Sequence, residues 1–165
     1  MKIIPSRKEY QDRYAPGPML GAVKTAAGIR NTFTFLHGVD GCTFAANQLR
    51  SGGPVVAGNY MAVEADGIQR SEVVLGNNEE MVTKLILREV KKQRTMPGLI
   101  FILTSCATSI IHEDLQMVAD TVSRETGATV IPIDTGGYLG GFNYGSEQVW
   151  CAILQRYVPE APASQ

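Results

Sequence analysis

The sequence predicts a three-layer α/β/α sandwich built on a mainly parallel, Rossmann-like sheet, and three observations carry that expectation. Three short apolar runs rich in β-forming residues, 32–36, 99–103 and 129–133, are each followed by a stretch of helical periodicity. Each run ends abruptly in a loop of glycine or small polar residues, and two of those loops carry a cysteine, Cys42 and Cys106. Strand and helix alternate, so right-handed crossovers would put all three loops on one carboxyl edge of the sheet, where open α/β folds bind ligands.

Taken in order, residues 1–15 read as a polar arm on which no structure is forced. From Pro18, Met19, Leu20, Ala22, Val23, Ala26 and Ala27 give a short helix of small residues suited to close packing, with Gly28 expected at its C′ position. The first strand and the loop from His37 to Cys42 come next, and Phe44, Ala45 and Leu49 suggest a helix opening beside the cysteine, which would favour a thiolate. Ser51-Gly52-Gly53-Pro54 breaks this pattern, and the path beyond it is unreadable except for β-branched pieces at Val55-Val56 and at residues 73–75. Asn77-Asn78-Glu79-Glu80 starts a helix whose stripe is Met81, Val82, Leu85, Ile86 and Val90, and Lys91-Lys92-Gln93-Arg94 charges its end. Residues 99–103 are apolar throughout, as in the centre of a parallel sheet. A helix around 112–125 presents Leu115, Val118, Ala119 and Val122 and stops at Gly127. After the last strand and the loop GGYLGGFNYG, Ser146 is expected to cap a final helix with Val149, Trp150, Ile153, Leu154 and Tyr157 inward. Residues 16–158 thus read as one domain, and 159–165 as a flexible tail.

Composition narrows the function. The 165 residues carry 15 Lys and Arg against 16 Asp and Glu, which leaves no cationic excess for nucleic acid or an anionic membrane. No secretory leader and no run long enough to span a bilayer is visible, so a cytoplasmic setting is expected. Three widely spaced cysteines without a CxxC do not describe a disulfide framework; in a reducing compartment they are free thiols or metal ligands. Cys151, inside an apolar helix, reads as a small buried hydrophobe, and the same bland reading stays open for Cys42 and Cys106. A nucleophilic cysteine could pair Cys106 with His112 or Cys42 with His37, but no orienting third residue is evident. The glycine loop is neither GxGxxG after the first strand nor a P-loop.

Four segments carry a resemblance to a known family. The run 20–42, LGAVKTAAGIRNTFTFLHGVDGC, resembles the helix, strand and HGxxGC cluster loop of the nitrogenase component 1 family, most nearly its β-type pattern. SEVVLGNNEEM resembles the family's next segment, "S…VFGG", LIFILTSCATSIIHEDL the second cluster-cysteine strand and helix, and IPIDTGGYLGG the "TPxFxG" loop. That family includes the molybdenum-iron protein α and β subunits, their cofactor-assembly scaffold and the light-independent protochlorophyllide reductase.

The resemblance implies that Cys42 and Cys106 are iron-sulfur ligands at a subunit interface. The family's upstream third cysteine is replaced here by Gly17, so a full P-cluster ligand set is not present in this pattern. Two cysteines from each of two chains would supply the four thiolates of a [4Fe-4S] cluster. By this resemblance the chain is expected to be a nitrogenase-like electron-transfer subunit or domain, a homodimer or a heteromer with a nitrogenase-like subunit, served by a component-2-like reductase. A complete active site in this chain alone is not implied. The alternative is a non-redox cofactor-assembly scaffold or binding module that kept the fold.

Overall fold

The computed structural model describes residues 17–39, 42, 62–65, 78–111 and 113–158, with the backbone alone considered for 62–65. Its elements are α1 (Pro18–Ala27), β1 (Thr32–His37), β2 (Ala62–Ala65), α2 (Glu79–Lys91), β3 (Leu99–Thr104), α3 (Cys106–Ile111), α4 (Leu115–Thr126), β4 (Thr129–Ile133) and α5 (Phe142–Tyr157). The strands form one parallel sheet in the order β2-β1-β3-β4, with Thr32 opposite Leu99 and Leu99 opposite Thr129. The three expected strands are therefore present and parallel.

Strand alternation divides the core between the two faces. Phe33, Phe35, Ile100, Ile102 and Val130 meet Val82, Ile86 and Val90 of α2 and Leu115, Val118, Ala119 and Val122 of α4. On the opposite face, Leu36, Leu99, Phe101, Leu103 and Ile133 meet Met19, Ala22, Val23 and Ala26 of α1 and Val149 of α5. Helices on both sides make the sandwich expected from sequence. The stripes of α2 and α4 are amphipathic because each covers the sheet with one face and meets water with the other.

Helices α1 and α5 approach at backbone distance. A Cβ on Gly21 would fall 1.9 Å from the Phe142 carbonyl oxygen, and one on Gly145 would fall 1.8 Å from the Pro18 carbonyl oxygen. Both positions thus exclude any side chain. Ser146 lies inside α5, where its hydroxyl donates toward the Gly21 carbonyl at 3.3 Å; the helix begins at Phe142 behind Gly141, so the expected Ser146 cap is corrected. Gly28 ends α1 in right-handed geometry at φ −77°, whereas Gly127 ends α4 in the left-handed region at φ 72°, where glycine is favoured.

A second correction concerns α5. Val149 is buried and Ile153 packs partly against the α1-side core, but Trp150, Leu154 and Tyr157 are each 54% exposed, and Cys151 is exposed as well. The helix lies by the edge strand β4, so only part of its circumference meets the sheet; apolar periodicity does not distinguish that part from the rest. The helix expected around 112–125 is α4, which Asp114 caps by accepting from the Met117 N–H at 2.9 Å, and the short α3 precedes it. His112, the helix expected after Cys42 and the strand pieces at 55–56 and 73–75 lie outside the described residues, while β2 has no counterpart in the sequence reading. No described helix is long and apolar enough to cross a membrane.

Candidate functional site

Parallel strands end together, and here three of them deliver loops to one edge. β1 ends at His37-Gly38, β3 at Thr104-Ser105-Cys106, and β4 at Asp134-Thr135. The first two loops are clamped to each other through one carbonyl: His37 O accepts from the Ser105 N–H at 2.9 Å and from the Thr108 hydroxyl at 2.8 Å. Gly38 makes the clamp possible, because a Cβ there would sit 2.5 Å from the Ser105 Cβ.

The clamp brings Cys42 and Cys106 together. Cys106 opens α3 and is exposed, while Cys42 is half-buried beside the α1-side core. Cys42 lies close enough to Cys106 for the two sulfurs to sense each other's charge. Burial pushes the Cys42 thiol above its ordinary pKa, the neighbouring Cys106 sulfur raises it further, and the Cys106 N–H offsets part of this. Cys106 Sγ in turn accepts from the Gly137 N–H at 3.0 Å, so the third loop reaches the exposed cysteine. Cys151 sits apart, on α5.

Two polar networks, neither legible in the sequence, hold these loops. Asp134 accepts from the Thr104 hydroxyl and the Ser109 hydroxyl, both at 2.7 Å, and from the Gly136 N–H at 3.0 Å. Ser109 Oγ also meets the Tyr138 hydroxyl at 2.5 Å, which ties the glycine loop to α3. On the far side of the β1 loop, buried His37 pairs through Nε2 with Glu113 just ahead of α4, and Asn78 at the start of α2 donates to the other Glu113 oxygen at 2.7 Å. Burial alone would raise the Glu113 carboxyl, but the hydrogen bonds from His37 and Asn78 and the imidazole charge together hold it below the usual carboxylate range. His37, a sequence candidate to activate Cys42, thus commits Nε2 to a carboxylate. Polar residues at strand ends were the available signal, but His37 and Glu113 lie 76 residues apart.

The edge therefore presents two thiol sulfurs, that of Cys106 with a backbone N–H donor, and exposed apolar side chains. Ile110 on α3 is 65% exposed, and Tyr138 and Leu139 in the loop after β4 are exposed too. Thiols with N–H donors suit a soft metal-sulfur group, since such hydrogen bonds stabilise charge on sulfur. Gly17, at the N-cap of α1, offers no side-chain ligand. Among the described residues no group of three or more His, Cys, Asp or Glu is placed to hold a metal ion.

Comparison with known proteins agrees with this architecture. The family model for nitrogenase component 1 type oxidoreductases matches residues 17–165. The nitrogenase iron-molybdenum cofactor biosynthesis protein NifE of Klebsiella pneumoniae is 26% identical over 84% of this chain and 30% of its own length. The NifE of Nostoc sp. is 29% identical over 76% of this chain and 26% of its own, and the light-independent protochlorophyllide reductase subunit N of Heliobacterium mobile is 29% identical over 58% and 21%. A solved structure of nitrogenase Cp1 at pH 5 shares the fold at a TM-score of 0.72 and 20% identity, with 100% of this chain covering 33% of that one. The chain spans about a third or less of these relatives. It belongs to the nitrogenase component 1 type oxidoreductase family.

Proposed function

We propose that this chain is a cluster-carrying electron-transfer unit of a nitrogenase-like component 1 assembly. Cys42 and Cys106 contribute two thiolates, and a second chain, a copy of this one or a nitrogenase-like subunit, contributes two more to a [4Fe-4S] cluster. The observation that carries the reading is that the clamp through the His37 carbonyl brings the two cysteine loops together at the carboxyl edge, with the sulfurs close enough to sense each other's charge. When bound, the cluster supplies one-electron transfer. The chain's own residues hold the ligands: the His37 carbonyl keeps the two cysteine loops in register, and the half-buried Cys42 limits water on its side. The exposed Ile110 and Leu139 give a second chain something to cover. A component-2-like reductase is the electron donor in this scheme.

The test is anaerobic reconstitution with iron and sulfide. The expected product is brown, absorbs near about 400 nm and carries about four iron atoms per dimer. Cys42→Ser and Cys106→Ser should each lose the iron, while Cys151→Ala should keep it. A protein that dimerises but stays colourless would instead favour a scaffold that kept the fold without redox chemistry. Iron retained after either Cys42→Ser or Cys106→Ser would overturn the ligand assignment.

A further inference from the structure

We propose that the Gly137 backbone amide tunes the sulfur of Cys106, and that Tyr138 and Ser109 are the positioning residues that hold this amide in place. The inference rests on the cluster reading and adds a control element to it. Gly137 N–H reaches Cys106 Sγ at 3.0 Å, and a Cβ on Gly137 would stand 3.0 Å from the same sulfur. A side chain there would crowd the sulfur that the amide serves, and glycine avoids that contact.

The donor sits in a loop that is fixed at several points. Thr135 N–H donates to Thr104 Oγ1 at 3.1 Å and Gly136 N–H to Asp134 Oδ1 at 3.0 Å; the Leu139 N–H reaches the Gly136 carbonyl at 3.0 Å. The Tyr138 hydroxyl meets Ser109 Oγ at 2.5 Å, and Ser109 donates to Asp134, which also accepts from Thr104. Ser109 lies one helical turn beyond Cys106 on α3, so one hydroxyl links the helix that bears the ligand to the loop that bears its donor. The Tyr138–Ser109 bond can be cut without touching the sheet or either cysteine: Tyr138 is 56% exposed, and a phenylalanine keeps its ring.

A hydrogen bond to a ligand sulfur stabilises the more negative, reduced cluster and so raises its potential. The amide can therefore act on the potential without touching the cluster.

Two readouts test this, one with the cluster and one without. In the cluster-free protein, hydrogen exchange followed by NMR should show the Gly137 amide protected, with protection falling at least tenfold in Tyr138→Phe, in Ser109→Ala and in Cys106→Ala. In the reconstituted protein, Tyr138→Phe and Ser109→Ala should keep full iron content, while the midpoint potential moves negative and the EPR signal of the reduced cluster changes shape. A wild-type Gly137 amide exchanging at the rate of an unstructured chain overturns the inference. So does a potential unchanged in both variants at full iron content, and in that case the cluster reading stands. If the wild-type protein takes up no cluster while Gly137 remains protected, the functional reading fails and the tuning role falls with it.

Discussion

At the scale of single residues, the account turns on polar side chains that the fold has buried and partnered. Glu113 binds buried His37 and Asn78, and removing its carboxylate would leave an imidazole and an amide without that partner. Glu113→Ala should therefore cost about 3 kcal/mol, the scale for breaking one side of a buried pair, read as a lower denaturation midpoint at unchanged m-value. The pH dependence has a definite sign. Because the folded state holds the Glu113 carboxyl below its unfolded pKa, the folded protein binds fewer protons, and the stabilisation is present above the unfolded value of about 4.3. It is lost as the pH falls through the lower folded pKa, so Glu113→Gln should flatten the acid limb of a stability profile below about pH 4 and leave its neutral limb parallel to wild type. Thr34 gives the opposite case. Its fully buried hydroxyl finds no hydrogen-bond partner among the described residues, so Thr34→Val should raise stability by up to about 1 kcal/mol. A clear drop in Tm would reveal a partner for that oxygen.

At the scale of elements, most of what periodicity can express is legible. The stripe of Leu115, Val118, Ala119 and Val122 is buried as expected, and the apolar run of β3 sits between two parallel neighbours. β2 is hidden because Ala62-Val63-Glu64-Ala65 has little β-forming character, and its pairing with β1 is non-local. The inward face of α5 is ambiguous because Trp150, Leu154 and Tyr157 are apolar yet do not point at the sheet. The glycines of GGYLGGFNYG allow close backbone approach, and at Gly145 the approaching backbone is that of α1. Gly145→Ala should therefore push the two helices apart and cost about 2–3 kcal/mol, the upper range for an overpacked site, while the same change at Gly141, where a Cβ meets nothing, should cost far less. Equal effects at both positions would contradict the close-packing explanation.

For the whole molecule, the sequence carries the sandwich, the parallel edge and the two cysteine loops, since all three arise from runs of residues and their order. The clamps that align those loops are not legible, because they join His37 to Ser105 and Thr108, Gly137 to Cys106, and Asp134 to Ser109 across the fold. The central claim is that Cys42 and Cys106 supply half the ligands of one cluster and a second chain the other half, a role that in the isolated protein falls to a second copy. Native mass spectrometry of the anaerobically reconstituted protein tests it most directly. The account predicts a dimer whose mass exceeds that of two chains by one four-iron, four-sulfide unit, with the cluster and the dimer lost together in Cys106→Ser. A monomer holding a complete cluster, or a dimer whose iron persists without Cys42 or Cys106, would contradict it.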